Sequence, residues 1–232
     1  MALVKYGGGI IQMSGSMAGN TFARNRYCNY VRARTKPINP NTDRQGQVRG
    51  YMASASHYWS NTLTPAQRNA WNEYASNVQV TNKLGESIFL SGFNMFCRSV
   101  TAELNAGLNI VPDAPALFTL PDTDPTVSAT GVGTTDIISV AFDDTMDWVD
   151  EDGAALLSYT GQPKSAGVSF FDGPWRYMDK ILGDAVTAPT TPAAQTSPYN
   201  ISADQKVYTK YRIIRADGRL SEFFRAPAFV VT

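Results

Sequence analysis

The residues of this chain best suited to chemistry are few. A single histidine, His57, stands beside Tyr58 and Trp59 and excludes any site that needs two imidazoles. No nearby serine or cysteine carries the signature of a nucleophile elbow, so His57 is expected to be a packed or half-exposed structural side chain. The acidic run Asp143-Asp144-Thr145-Met146-Asp147-Trp148-Val149-Asp150-Glu151-Asp152-Gly153 offers oxygen ligands of the kind hard cations take. Its glycine and glutamate miss the sixth and twelfth positions of an EF-hand loop, which predicts a solvated loop rather than a calcium site. Cys28 and Cys97 lie far apart and match no metal-ligand spacing, so both are expected to be reduced, buried thiols. Gly7-Gly8-Gly9 and Gly15-x-x-x-Gly19 lack the following Lys-Ser/Thr of a phosphate loop and suit tight turns or close backbone contact. No catalytic residue, cofactor site or metal site is therefore expected, and the chain reads as a non-enzyme.

The stronger chemical feature is cationic. Arg24, Arg26, Arg32, Arg34, Lys36, Arg44 and Arg49 interleave with Phe22, Tyr27 and Tyr30. Cations among aromatics can track a phosphate backbone, yet no nucleic-acid motif accompanies them. Arg32 and Arg34, two apart on an extended strand, would share one face and can equally meet acids on a protein partner. Arg24, Arg26, Tyr27, Tyr30, Arg32 and Arg34 are the candidate partner-binding residues, with protein favoured over nucleic acid. The zero net charge hides a division: residues 1–112 carry 11 Lys/Arg against 4 Asp/Glu, and residues 113–232 carry 9 against 16. Such asymmetry suggests different partners for the two halves.

The elements that must position these residues follow from punctuation and period. Residues 1–40 are glycine-rich and extended, with short strands expected at Ile10-Ile11 and Tyr30-Val31 and turn punctuation at Lys36-Pro37-Ile38-Asn39-Pro40-Asn41. Thr42 and Gln45 form a potential capping box ahead of a helix with Val48, Tyr51, Met52, Ala55 and Trp59 on one face. Thr64-Pro65-Ala66-Gln67 opens a second helix with Ala70, Trp71, Tyr74 and Ala75 inward. Only Ser60 to Leu63 separates the two, which predicts an antiparallel hairpin. A third helix is predicted from Ser91 to Gly107 with Phe93, Phe96, Val100 and Leu104 inward. Residues 111–125 read as a proline-bearing linker. Beyond it the period becomes two, with strands predicted at Ile137–Phe142, Ala155–Tyr159, Trp175–Leu182, Val207–Ala216 and Phe229–Val231, and an exposed loop at Thr187–Pro198. The fold class is α+β: an extended β-rich arm (1–40), a three-helix module (41–110), the linker, and an immunoglobulin- or fibronectin-like β-sandwich over 126–232 with Trp175 in its core. No run approaches the ~20 apolar residues of a membrane span, and the first nine residues lack the layout of a secretory signal.

An ordered series of motifs adds to this. It runs from Ser14-Gly15-Ser16 through Gly19-Asn20-Thr21-Phe22-Ala23-Arg24, Tyr30-Val31-Arg32 and Pro37-Ile38-Asn39-Pro40-Asn41-Thr42. It continues through Gln45, Val48-Arg49, Trp59, Leu63-Thr64-Pro65-Ala66-Gln67-Arg68 and Trp71 to Leu90-Ser91-Gly92-Phe93-Asn94-Met95-Phe96. Over about residues 8–105 the chain resembles a family of small virion-associated proteins of tailed phages. Phe171-Asp172-Gly173-Pro174-Trp175 and Arg215-Ala216-Asp217-Gly218-Arg219-Leu220-Ser221 are similar to longer members. The resemblance implies a particle component, assembled in a host cytoplasm and located in the virion. With the basic arm it leads to the expectation of a capsid decoration (cement) protein. Such a protein would bind the major capsid protein or other virion subunits and form a homo-oligomer in the particle. A head–tail junction or tail component is the alternative. A further one is a host-glycan-binding module using Trp148, Trp175, Tyr177 and Tyr199.

Overall fold

The computed structural model describes residues 2–36 and 38–232; Met1 and Pro37, and with them part of the turn expected around Lys36–Asn41, lie outside the described residues. The arm forms a four-stranded antiparallel sheet from β1 (Ala2–Val4), β2 (Gly15–Met17), β3 (Asn20–Arg24) and β4 (Asn29–Ala33), in the order β1-β4-β3-β2. The expected strand at Tyr30-Val31 is the centre of β4, whereas Ile10-Ile11 forms none. Gly8 and Gly9, at φ +64° and +94°, turn the chain just before that pair, and Ile11 is left 94% exposed. No residue described between 2 and 36 is fully buried.

Helix α1 (Asp43–His57) starts where the cap predicts it, with the Gln45 amide donating to Thr42 Oγ1 at 3.4 Å. The return half of the box is not made, because Gln45 Oε1 is buried without a partner. The segment expected to leave the helix continues instead as a π-helical turn, Tyr58–Thr62, closed by the Leu63 amide on Tyr58 O. Helix α2 (Pro65–Asn77) has the complete box: the Gln67 amide donates to Thr64 Oγ1 and the Thr64 amide to Gln67 Oε1. It leads through the hairpin of β5 (Gln79–Thr81) and β6 (Ser87–Phe89) to helix α3 (Gly92–Ala106), capped by Ser91 and ended by Gly107 at φ +70°.

α3 is the hub. Both α1 and α2 pack on it rather than mainly on each other, which corrects the simple hairpin. On one side Phe96 meets Trp71, Trp59 and Tyr58 with ring centroids 5.3, 5.5 and 6.2 Å apart. Gly92 is required there, since a Cβ would lie 2.7 Å from the Asn72 backbone nitrogen. The inward face expected for α2 is present at Trp71, Tyr74 and Ala75. That of α1 is not: Ala55 is buried, Tyr51 and Trp59 are half-buried, and Val48 and Met52 are 41% and 44% exposed. α3 buries its other side too. Ala102 and Ala106 pack on Ala155, Leu157, Ile214 and Leu220 of the β-module.

That module contains β7 (Ser128–Val132), β8 (Ile137–Ala141), β9 (Ala155–Gly161), β10 (Lys164–Ser165), β11 (Trp175–Leu182), β12 (Ala193–Thr196), β13 (Gln205–Val207), β14 (Thr209–Ile214), β15 (Phe224–Arg225) and β16 (Phe229–Val230). They make antiparallel sheets in the orders β11-β9-β14-β15, β12-β8-β7 and β10-β13-β16. Ile138 and Val140 of one sheet meet Leu156, Ile181, Tyr211 and Ile213 of another in a single core. Central β9 is covered by that core on one face and by α3 on the other, which matches its unbroken Ala154-Ala155-Leu156-Leu157 run.

Three expectations change. The predicted strand 207–216 is two strands, because the chain passes from the β10-β13-β16 sheet to the β9-centred sheet at Tyr208. The predicted loop 187–198 contains β12, paired to β8 with Ala193 opposite Val140 and Gln195 buried. The core tryptophan is Trp148, at 2% exposure, whereas Trp175 is only half-buried. Residues 111–125, read as a linker, are tied down where the Trp71 indole donates to Pro112 O at 3.0 Å and Gln67 Nε2 to Asp113 Oδ1 at 2.8 Å.

Glu103 sits 2% exposed at the seam between α3 and the β-module. Burial pushes its carboxyl up to about 7, against the lowering effect of donors from the Val111 amide and Ser99. Ser99 Oγ lies 3.1 Å from Glu103 Oε1 and 2.5 Å from Gly218 O. One hydroxyl hydrogen cannot serve both acceptors, but a protonated Glu103 donates to Ser99, which then donates to Gly218. The folded state thus holds a proton that the unfolded chain releases near pH 4.5, so stability falls as pH rises from about 4.5 to about 7. Glu103→Gln keeps both polar contacts without the charge. Its stability advantage over the parent, measured by denaturant titration, is expected to grow by about 3 kcal/mol between pH 4.5 and 8; an advantage independent of pH would refute the assignment.

Candidate partner-binding surfaces

The strand pairing distributes the candidate residues of the arm. Thr21 lies opposite Arg32 and Ala23 opposite Tyr30, so Tyr30 and Arg32 share one face of the sheet. Phe22 lies opposite Val31 and Arg24 opposite Asn29, which puts Arg24 on the other face. Arg34 follows β4 directly, its amide bonded to Gly19 O at 2.8 Å. Arg26 and Tyr27 occupy the turn between β3 and β4, where Asn25 Oδ1 accepts from the Tyr27 and Cys28 amides.

Tyr27 is engaged within the chain. Its hydroxyl oxygen accepts from the Ser91 amide at 3.1 Å and from Asn94 Nδ2 at 2.9 Å, latching the arm to the N-terminus of α3. A Lys5–Glu86 ion pair adds a second tie and holds the Glu86 carboxyl below its ordinary value. Arg24, Arg32 and Arg34 make no ion pair or side-chain hydrogen bond among the described residues, and Arg26 reaches only the Tyr27 ring, 5.9 Å away. Residues 1–36 hold six Lys/Arg and no Asp/Glu. The arm therefore presents a cationic surface studded with Ile10, Ile11 and Met17, all at least 49% exposed.

The acidic run lies between β8 and β9, its place set by buried Trp148 and Val149. Four of its six carboxylates are engaged within the chain. Asp143 accepts from the amide and hydroxyl of Thr145, Asp147 and Glu151 pair with Arg215, and Asp152 accepts from the Ala185 amide. Among the described residues no three His, Cys, Asp or Glu side chains gather as a metal site would need. A cavity of about 160 Å³ opens beside the loop, with Met146, Trp148 and Ile213 in its wall and Asp122, Asp147 and Arg215 as its charges.

A third surface was not anticipated. On the face of β14 opposite the core, Lys210 Nζ stands 3.8, 5.1 and 5.4 Å from the ring centres of Phe223, Trp175 and Tyr159. Arg212 lies 4.2 Å from Phe223 and Arg225 lies 5.3 Å from Trp175. Burial first, then the charges of Arg212 and Arg225, pushes Lys210 down to about 8. The alternation Lys210-Tyr211-Arg212-Ile213 carries the signal for a strand with one cationic face, but the rings around it come from distant segments.

This packing bears on the four aromatics considered for sugars. Trp148 is in the core, Trp175 is flanked by Lys210, Arg225 and Phe171, and Tyr199 lies under Arg176 at 4.6 Å. Tyr177 donates to Asn105 O at 2.9 Å and its ring receives Arg44 at 5.1 Å. His57 is an exposed residue ending α1, Cys97 is buried and Cys28 half-buried, and both thiols are free. No helix is long and apolar enough to cross a membrane among the described residues. Comparison with protein-family models, curated proteins and solved structures returned no match.

A lysine whose basicity burial and two nearby guanidinium groups depress is an amine nucleophile in mildly basic solution. Peptide mapping after brief treatment with a limiting amine-reactive ester at pH 8 is expected to find Lys210 modified several-fold ahead of the exposed Lys36 and Lys83. Equal or slower modification would refute the depressed basicity.

Proposed function

We propose that this chain is a structural, non-enzymatic component of a tailed-phage particle, a decoration subunit that holds onto neighbouring virion subunits through its basic arm. The observation that carries the reading is the arm itself: a four-stranded sheet that, among the described residues, has no fully buried residue and leaves Arg24, Arg32 and Arg34 without an ion pair. A sheet needs a hydrophobic face covered by something to be independently stable, and the arm covers little of its own. Its arginines suit acidic patches on a protein surface, where charge complementarity sets orientation and partner choice. The resemblance of residues 8–105 to virion-associated proteins supplies the particle context.

In this reading the β-module is an immunoglobulin- or fibronectin-like sandwich projecting from the lattice. The support for it is a set of short antiparallel strands closing over one core with a buried tryptophan, Trp148. The arm would raise the particle's resistance to dissociation by mass action, since it binds the assembled state alone. Nucleic acid is the less favoured partner, because the arginines are divided between two faces and a turn and do not line one groove.

Copy number and attachment test the proposal. Densitometry against the major capsid protein is expected to give hundreds of copies per particle; a value of about six or twelve would move the chain to a closed ring at the head–tail junction or tail. Replacing Arg24, Arg32 and Arg34 by glutamate together should change folding stability by less than about 1 kcal/mol, as expected for exposed side chains. The same change should abolish attachment to particles at ordinary salt. Undiminished attachment would defeat the gripping role.

A further inference from the structure

We propose that the arm docks on the acidic loop of a second copy of this chain, so that copies join head to tail, arm to loop. The inference rests on reading the chain as an assembly subunit and names the arm's partner. Residues 143–152 hold six Asp/Glu and no Lys/Arg, the reverse of the arm's six Lys/Arg and no Asp/Glu in residues 1–36. The arm and the loop are therefore strongly opposed charged segments, and contact between them would bring their charges together. Within one chain the arm and the loop are not joined: among the described residues no ion pair or side-chain hydrogen bond links residues 2–36 to 143–152, and the arm is latched by Tyr27 and Lys5 at the N-terminus of α3 and the β5–β6 hairpin.

The loop offers more than charge. Asp144 and Asp150 are exposed and make no side-chain bond among the described residues. The adjoining turn, tied to the loop by the Asp184 amide on Val149 O and the Ala185 amide on Asp152 Oδ1, presents Val186 at 91% exposure. Val186 can cover Ile11, 94% exposed on the arm, while Arg32 and Arg34 meet Asp144 and Asp150. The cavity between Asp122 and Asp147 provides a recess for one arginine stem, with Arg215 on its wall already compensated by Glu151. A contact of one surface with a different surface of the next copy is heterologous. It closes into a ring or continues as an open array, according to the angle between copies.

Sedimentation velocity on the full chain decides the matter, with circular dichroism to confirm folding of each variant. The parent is expected to self-associate at low salt and to dissociate in about 0.5 M salt, where exposed charges are screened within a few ångströms. R32E/R34E and D144K/D150K should each weaken association at least roughly tenfold, because like charges then face one another. An equimolar mixture of the two variants should recover association, since parent arm meets parent loop and glutamate meets lysine. A parent that remains monomeric, or a D144K/D150K chain that associates as the parent does, would overturn the inference. If that monomer still docks on purified particles through its arm, the particle reading stands and only the self-contact falls. Self-association with no attachment to particles would do the opposite.

Discussion

Everything in this molecule leans on α3, a 15-residue helix obliged to bury both of its sides. One side fills the centre of an aromatic cluster with Phe96, and the other sets Ala102 and Ala106 against β9 and β14. Small residues at that second face let the helix approach the sheet closely, so dispersion contacts form along the whole seam. Such double burial leaves no water for the polar groups that fall between the layers. Arg98 therefore donates to Leu220 O and Ser221 O, Arg212 Nε to Ser221 O, and Ser99 reaches Gly218 O. Each bond repays part of a desolvation cost that an unpartnered group would impose in full. Glu103, with no counter-ion among the described residues, is instead shifted toward its neutral form by burial.

The arm is built under the opposite rule. Its strands satisfy their backbone groups by pairing with one another, but alternation places polar residues and cations on both faces and no core forms beneath. Ordering a residue costs about 1–2 kcal/mol in backbone entropy, offset among the described residues chiefly by strand pairing, the Tyr27 latch and one lysine–glutamate pair. Stable helices and sheets thus carry a sheet that is tied to them at few points. In α1 likewise Val48 and Met52 stay largely in solvent while Ala55 is buried in the aromatic cluster.

Electrostatics are segregated rather than mixed. Cations collect on the arm, carboxylates on the loop between β8 and β9, and a second set of cations is set among rings on the outer face of β14. In that last place the rings stand in for water and counter-ions, yet burial first, and then the charges of Arg212 and Arg225, depress the basicity of Lys210. Net neutrality of the chain is therefore a sum of strong local fields, and local fields govern orientation and encounter.

Helix ends were legible in the amino-acid sequence because capping is local. Thr64 with Gln67, Ser91, and Gly107 act within one turn of themselves, and no distant residue can change what they do. The same holds for β8, β11 and the long apolar run of β9, whose alternation or continuity states how many faces are covered. The arginines of the arm were legible as a cationic, extended segment for similar reasons. What tertiary structure alone decided involves choices between remote partners. β12, with the weakly β-forming run Ala-Ala-Gln-Thr, is a strand because β8 offers it an edge. Trp148 rather than Trp175 entered the core because the acidic loop folds inward at that point. The cage around Lys210 needed rings from β9, β11 and the segment before β15 to converge. Composition sets what a segment can bury or bond locally, but which of several eligible segments does so depends on the shape of the cavity left by all the others, and that exists only once the chain has closed on itself.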